Sequence, residues 1–521
     1  MTTRRKTILT LLIFGAWLAC LSAMINYDRQ SIGESRTLFR LVVVILLLGG
    51  RAIWGKPSKW FWPVAIGALI ATPFFLFARA FKHFDIFSVL FHIEFGTEGA
   101  TLAGLEQQIL AAVVSCAFFA LTVYWMHILH FHLKSILISA FAVIVLVNPL
   151  TSFAYQYITQ PYIESDLTER LNTPKIIADS QTPDILLIYL EGLERGFERT
   201  DIYGDVFSEL TTIEPETVSL TKVLQARGTE WSLAGFTATM CGLPLLPNGL
   251  RYRNNYTEQT DFLINHVCLT DVMKDKGYAL EFVKGTDATF AGFEHFSKSH
   301  GFDRIIDRQA QSALYPVEEV EMASWGWMVD DQMTLDTSRS VYLDLLKDDA
   351  PLGMIIETIG PHGRNSYFSR ECRDDGIATA LEDEGGSVAC TLDGVFRFLD
   401  FVEENRNGRP TAVMLMSDHL NHSPNVANAL DGDLRTNVIM MLGMGFEGAT
   451  GMAGDKIDRT ATMMDVYPTM LSWLGFASPD AKGGLGISLF SKDQTLIEEK
   501  GLDLLDRELI PNPELGKLIW N

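Results

Sequence analysis

The tripeptide Ser417-Asp418-His419 places two metal-capable side chains directly after a continuous apolar segment, residues 412–416. Short apolar segments bounded by polar residues are typical of buried strands in parallel sheets. In open α/β sheets, ligands bind outside the carboxyl ends of the strands, which is where Asp418 and His419 would lie. Carboxylate oxygen and neutral imidazole nitrogen both bind divalent cations. The tripeptide alone fits a polar loop equally well.

Three other apolar segments also end in residues that can do chemistry. Chance loop composition explains one such ending easily, but it explains four endings among five predicted strands much less well. A fifth apolar segment, residues 437–442, ends in Gly443 without a ligand. The three additional endings are Glu191 after residues 185–190, Glu357 and His362 after residues 352–356, and Lys284 and Asp287 after residues 279–283.

Residues 228–237 resemble a turn that opens a helix, and they contain two candidate nucleophiles, Thr229 and Ser232. A hydroxyl at a helix N terminus lies among free N–H groups, in a positive potential that suits an anionic phosphate. The alternative is a plain N-cap, in which either hydroxyl satisfies backbone donors. Taken without the other candidate ligands, this segment favours the N-cap.

The 521 residues are too many for one ordinary domain, and charge divides them unevenly. Residues 1–154 contain 12 Lys and Arg against 6 Asp and Glu, whereas the remainder contains 30 against 58. We therefore expect a membrane domain followed by an acidic soluble domain. Acidity of this kind argues against nucleic-acid binding, which requires basic surface.

Five membrane spans are predicted, because each needs about 20 mostly apolar residues. Basic residues near the spans place the N terminus in the cytoplasm, and an odd number of spans then places the soluble part outside. This topology predicts a multi-pass membrane protein whose soluble domain faces the outer side, which for a bacterial inner membrane is the periplasm. The spans are residues 7–26, 38–54, 60–81, 106–130 and 135–154.

Four of the six cysteines fall in the soluble part, and an even number there fits two disulfides in an oxidising compartment. Three pairings exist for four cysteines. The pairs Cys241–Cys268 and Cys372–Cys390 close the shortest loops and are favoured for that reason. The alternative is four unpaired cysteines in a cytosolic domain.

The soluble part alternates apolar strands with helical patterns, which predicts a doubly wound α/β fold. Helices are predicted over residues 261–276 and 392–404. The predicted organisation is a transmembrane domain over residues 1–154, a linker over 155–182, a catalytic domain over 183–495 and a tail over 496–521. The sequence leaves open whether the tail docks on the domain or on the membrane.

Several of these segments together resemble the alkaline phosphatase/sulfatase superfamily. They are Leu190-Glu191, Gly228-Thr229, Ser417-Asp418-His419, and residues 464–471 followed by Leu474-Gly475. More narrowly, five spans before such a domain resemble lipoteichoic acid synthase. The segment Cys241-Gly242-Leu243-Pro244 is similar to phosphoglycerol transferases that decorate periplasmic glucans.

The resemblance implies one divalent metal held by Glu191, Thr229, Asp418 and His419, with Thr229 as the nucleophile. Mixed oxygen and nitrogen ligands suit Mn²⁺ or Zn²⁺, with Mg²⁺ as a further alternative, and the resemblance favours Mn²⁺. The resemblance implies that His362 lies near the substrate, as a catalytic group or phosphate contact, and Lys284 and Asp287 are further predicted substrate contacts. Phe293 departs from the family pattern, because it stands where relatives have a basic or polar head-group contact.

The implied activity transfers phosphoglycerol from phosphatidylglycerol, an anionic membrane lipid, to a glycan hydroxyl through a covalent phospho-threonine. One rival is a phosphoethanolamine transferase that uses the same chemistry on another lipid. A hydrolase of phosphate or sulfate esters fits less well, since the usual sulfatase maturation motif needs Cys or Ser. A rival of another class is a catalytically inactive, membrane-anchored binding protein.

Overall fold

A central eight-stranded sheet organises the part of the chain that the computed structural model describes. That part comprises residues 165–246, 261–289, 292–362, 367–377, 383–451, 453–510 and 512–520. The strands are β1 (Asp184–Leu190), β2 (Thr217–Leu224), β3 (Ala279–Lys284), β4 (Arg304–Ile306), β5 (Leu352–Glu357), β6 (Thr411–Ser417), β7 (Asn437–Met444) and β8 (Lys456–Thr462). A separate two-stranded ribbon contains β9 (Lys482–Gly483) and β10 (Gly486–Ile487).

The strands of the large sheet lie in the order β4-β3-β5-β1-β6-β7-β2-β8. Strands β4, β3, β5, β1 and β6 are mutually parallel, so their carboxyl ends share one edge. Strand β7 is antiparallel to both β6 and β2. The expectation of a parallel strand over residues 437–442 was therefore wrong. Its reversed direction places Gly443 at the opposite edge, which explains why this strand ends without a ligand.

Helices cover both faces of the sheet, as the alternation of patterns predicts, and the α/β fold is confirmed. The α-helices are Thr200–Tyr203, Ser208–Ile213, Ser232–Cys241, Leu269–Asp275, Phe293–Ser299, Arg308–Ser312, Val317–Ala323, Asp331–Leu345, Arg370–Asp374, Glu384–Asn405, Pro424–Ala429, Met463–Trp473, Leu496–Lys500, Leu502–Leu509 and Pro513–Trp520. Two 3₁₀ helices span Arg195–Glu198 and Glu214–Glu216.

Strand β1 shows why these segments are continuously apolar. Its side chains alternate between two cores, with Leu187 in one and Leu186 in the other. Helices Ser232–Cys241 and Met463–Trp473 contribute to the first core, and helices Asp331–Leu345 and Glu384–Asn405 contribute to the second. A strand covered on both faces needs apolar residues at every position.

One local expectation differs from the structure, and one question that the sequence left open is answered. The helix expected over residues 261–276 forms only from Leu269 to Asp275, because Cys268 is extended and begins a capping box with Asp271. The tail docks on the domain, where the indole nitrogen of Trp520 donates to the carbonyl of Leu246 over 2.7 Å.

The predicted spans between residues 7 and 154 lie outside the described residues. Among the residues that are described, every helix is too short or too polar to cross a bilayer.

Candidate metal centre and nucleophile

Glu191, Asp418 and His419 converge at the carboxyl edge of the sheet. Glu191 follows β1 and the other two residues follow β6, the parallel neighbour of β1. The Nε2 atom of His419 lies 3.1 Å from Asp418 Oδ2 and 3.4 Å from Glu191 Oε1. All three side chains are buried, with residue exposures of 2% or less. Strand ends thus bring together three of the four ligands predicted from the sequence.

The protonation of His419 suits a metal ligand. Its Nδ1 atom lies 2.8 Å from the carbonyl oxygen of Leu420, so Nδ1–H is the donor and the Nε2 lone pair faces the two carboxylates. Burial lowers the pKa of His419 to about 4, which leaves the ring neutral at pH 7. Neutral imidazole is the form that binds a metal ion.

The two carboxylates leave oxygen atoms for a cation. Within the described part of the chain, Glu191 Oε1 and Asp418 Oδ2 are buried and make no hydrogen bond. The other oxygen of Asp418 accepts from the backbone N–H groups of Gly192 and His419, which fixes its orientation. Burial, followed by the charge of Asp418, raises the pKa of Glu191 well above its usual range. Buried acceptors that face one another fit a divalent cation, which would neutralise them.

Ser232 presents its hydroxyl to this cluster. Its Oγ atom lies 3.4 Å from His419 Nε2 and 3.5 Å from Glu191 Oε2. Trp231 is extended, so the helix begins at Ser232 and its free N–H groups face the same region. A Cβ at Gly235 would lie 1.6 Å from the carbonyl oxygen of Asp418. The missing side chain at Gly235 therefore allows this helix to approach the cluster closely.

Thr229 does not reach the cluster, although the sequence predicts it to be the nucleophile and the fourth ligand. Its side chain is fully buried, and its Oγ1 donates to the carbonyl of Ala226 over 2.8 Å. The same oxygen accepts from Gln225 Nε2 over 2.8 Å. Gln225 Oε1 in turn accepts from the N–H of Leu420, in the loop that carries His419. Thr229 therefore stabilises the turn that leads into the helix, and Ser232 occupies the position expected of Thr229.

His362 lies on the loop that follows β5, and its ring contacts Trp327 edge-on at a centroid distance of 5.1 Å. Burial lowers the pKa of His362, and the negative charge of Asp418 partly offsets this shift. The loop is anchored by Asp331, whose carboxylate accepts from the N–H groups of Ile359 and Gly360 over 2.7 and 3.1 Å. Sequence reasoning missed Asp331, because this contact joins segments 28 residues apart.

Replacing Asp331 with alanine is expected to lower kcat/KM by about tenfold or more, because the N–H groups of Ile359 and Gly360 lose their buried acceptor and His362 is displaced. Steady-state kinetics on the folded variant measures this effect. Asp330→Asn is the matched control, since Asp330 only caps the helix at Met333 and asparagine caps as well as aspartate. Equal kinetics in the two variants would contradict the anchoring role.

Lys284 and Asp287, both predicted substrate contacts, are paired with neighbouring side chains. Lys284 Nζ lies 2.8 Å from Glu357 Oε2 and 3.3 Å from the centroid of the Phe293 ring. Both carboxylate oxygens of Asp287 accept from Arg308, each over 2.9 Å. The ammonium of Lys284 thus lies over the ring of Phe293, the residue that departs from the family pattern.

Both favoured disulfides are present, Cys241–Cys268 and Cys372–Cys390. The first joins the end of helix Ser232–Cys241 to the residue that caps the next helix. Cys268 also lies in a group with Asp271 and His300 whose donor atoms could hold a metal. The sulfur of Cys268 is oxidised, however, so this group offers no thiolate.

The chain is similar to several known proteins. The Sulfatase family profile matches residues 183–476. Phosphoglycerol transferase I of Xanthomonas euvesicatoria pv. vesicatoria is 27% identical over 297 residues, which cover 56% of this chain and 42% of that protein. Phosphoglycerol transferase I of Salmonella arizonae is 26% identical over 347 residues, which cover 65% of this chain and 42% of that protein. The chain thus spans less than half the length of these curated relatives.

Two solved structures also match this chain. The lipoteichoic acid synthase LtaP from Listeria monocytogenes is 14% identical, with a TM-score of 0.46 over 62% of this chain and 81% of that one. The lipooligosaccharide phosphoethanolamine transferase EptA from Neisseria meningitidis is 15% identical, with a TM-score of 0.48 over 87% and 92%. Because the family profile covers more than half of the chain, this protein belongs to the sulfatase family.

Proposed function

We propose that this protein is a membrane-anchored, metal-dependent transferase that moves phosphoglycerol from phosphatidylglycerol to a hydroxyl of a periplasmic glucan or similar glycan. The observation that carries the proposal is the Ser232 hydroxyl at a helix N terminus, 3.4 Å from His419 Nε2 and 3.5 Å from Glu191 Oε2. The relatives that are phosphoglycerol transferases support this choice of transferred group. The two disulfides support a periplasmic site.

The donor set fits one divalent cation held by Glu191, Asp418 and His419, with the Ser232 hydroxyl beside them. Such a cation favours the alkoxide of Ser232 and offsets negative charge on the phosphoryl oxygens. Mixed oxygen and nitrogen ligands suit Mn²⁺ or Zn²⁺, and we favour Mn²⁺. Asp418 is held in its orientation by backbone donors, so its free oxygen is already aimed at the site.

Transfer proceeds in two displacements at phosphorus. Ser232 Oγ first forms a bond to the phosphorus of phosphatidylglycerol and loses its proton, while the bond to the diacylglycerol oxygen breaks and that oxygen takes a proton. The glycan hydroxyl oxygen then bonds to the phosphorus of the phosphoglycerol-serine and loses its proton, while the bond from phosphorus to Ser232 Oγ breaks and Oγ takes a proton. The free N–H groups at the helix N terminus stabilise the developing negative charge. We assign His362 to phosphate binding or to proton transfer.

Two labelled lipids test the transferred group. The protein is incubated with a glucan acceptor and either phosphatidylglycerol labelled in its head-group glycerol or phosphatidylethanolamine labelled in its ethanolamine. We expect the glycerol label, and not the ethanolamine label, to reach the glucan. Transfer of ethanolamine alone would replace the proposal with its nearest rival, a phosphoethanolamine transferase.

A further inference from the structure

A second, buried charge pair lies beside the proposed metal ligands. Lys284 ends β3 and Glu357 ends β5, and the two residues are partners in the parallel register of these strands. Strand β5 also pairs with β1, where Glu357 lies opposite Tyr189, two residues before Glu191. Four adjacent strands, in the order β3-β5-β1-β6, therefore bring charged residues to this edge. Lys284 and Glu357 end β3 and β5, and Glu191 and Asp418 directly follow β1 and β6.

The surroundings of this pair keep water away from it. Lys284 is 1% exposed and Glu357 is 5% exposed. The ammonium of Lys284 lies 3.3 Å from the ring centroid of Phe293 and 5.5 Å from that of Phe282, within the range of a cation–π interaction. Desolvation of a buried ion pair offsets much of its Coulomb energy, so such a pair contributes little net stability. The pair also adds formal charge beside Glu191 and Asp418, the proposed metal ligands.

The formal charges at this edge are matched to one cation. With a cation bound, Glu191, Asp418 and Glu357 would be three buried carboxylates and Lys284 one buried ammonium, while the ring of His419, whose Nδ1–H donates to the carbonyl of Leu420, would bind through its Nε2 lone pair and add no charge. Their formal charges leave an excess of two negative charges, which a single dication neutralises. Without Lys284 the same edge would carry a third uncompensated carboxylate.

We propose that the Lys284–Glu357 pair sets the charge of the centre so that it holds one divalent cation at a moderate affinity. Lys284 offsets the carboxylate of Glu357 and repels the cation, while Glu357 attracts the cation and holds the ammonium in place. Both residues act through the metal ligands and are positioning residues. The inference rests on the proposed metal centre.

Opposite effects of the two single substitutions test this role. Lys284→Met removes a positive charge near the cation and should tighten Mn²⁺ binding by about tenfold, whereas Glu357→Gln removes a negative charge and should weaken it by about tenfold. The double variant removes both charges and should bind Mn²⁺ nearly as the unmodified protein does. Calorimetric titration of the metal-free full chain in detergent, with MnCl₂ alone, measures each dissociation constant independently of activity.

Lys298→Met is the matched control, because Lys298 is an exposed lysine paired with Glu294. It should leave Mn²⁺ affinity unchanged. If Lys284→Met fails to fold, Glu357→Gln and the double variant still test the inference. Glu357→Gln should bind Mn²⁺ more weakly than the unmodified protein, whereas the double variant should not.

Equal affinities in the unmodified protein, Glu357→Gln and the double variant would overturn the charge-setting role. A rise in the KM for the lipid with no change in Mn²⁺ affinity would also overturn it, because Lys284 would then contact the substrate directly. Absence of Mn²⁺ binding in the unmodified protein would instead refute the proposed metal centre, and this inference with it.

Discussion

Replacing Ser232 with alanine is expected to lower the rate of phosphoglycerol transfer by about 10³-fold or more while leaving the fold intact. The substitution removes the only protein atom that bonds to phosphorus in the proposed mechanism, so no covalent intermediate can form. The side chain is small and partly exposed, and its loss leaves only a small space at the helix N terminus. Transfer of labelled glycerol to glucan measures the rate, and thermal unfolding checks the fold.

Thr229→Val is the matched control for this prediction. It removes a hydroxyl that bonds only within its own turn, to Ala226 and Gln225, so we expect a loss of stability of about 1–3 kcal/mol and a change in rate of less than about tenfold. The reverse result, an inactive Thr229→Val and an active Ser232→Ala, would return the nucleophile to Thr229. No transfer by the unmodified protein would favour the inactive binding protein.

Removal of the metal is expected to abolish transfer, and Mn²⁺ should restore it. A cation that binds only the folded protein stabilises it by about 2.7 kcal/mol when the free cation concentration is 100 times its dissociation constant. Tm should therefore rise with Mn²⁺ concentration. Asp418→Asn replaces a charged ligand oxygen with a neutral one and should remove both the activity and the rise in Tm. Thermal unfolding of EDTA-treated protein across a series of Mn²⁺ concentrations measures the effect.

Asp271→Asn is the control for the metal prediction, because Asp271 belongs to the second group of potential ligands, with Cys268 and His300. Asparagine at this position keeps the size of the side chain and removes its charge. A rise in Tm that persists in Asp418→Asn and disappears in Asp271→Asn would place the metal at the second group.

The meeting of Glu191, Asp418 and His419 at one edge could be predicted because strand ends fix their positions. Continuous apolar segments identify β1 and β6, and parallel strands end at the same edge, so Glu191 and Asp418 were expected at one edge. Their close approach depends on β6 lying beside β1, which the structure shows. The direction of β7 could not be predicted in the same way. A strand covered on both faces is apolar along its whole length whichever way it runs.

The choice between Thr229 and Ser232 depends on where a helix begins, which the sequence leaves uncertain by several residues. Both hydroxyls follow the turn at Gly228, and the extended conformation of Trp231 decides that Ser232 is the first helical residue. One signal was available. Gly235 lies one helical turn after Ser232, and a glycine there indicates close approach to other backbone.

The Lys284–Glu357 pair depends on strand order. The two residues are 73 positions apart and become partners only because β3 lies beside β5. The sequence therefore suggested Lys284 as a substrate contact, without a counterion.

Mass spectrometry of the protein after incubation with phosphatidylglycerol, in the absence of an acceptor, tests the central claim most directly. The account predicts an increase in mass equal to one phosphoglycerol group, located on Ser232 by peptide fragmentation and absent from Ser232→Ala. An adduct on Thr229, or transfer to glucan without any covalent adduct on the protein, would contradict the account.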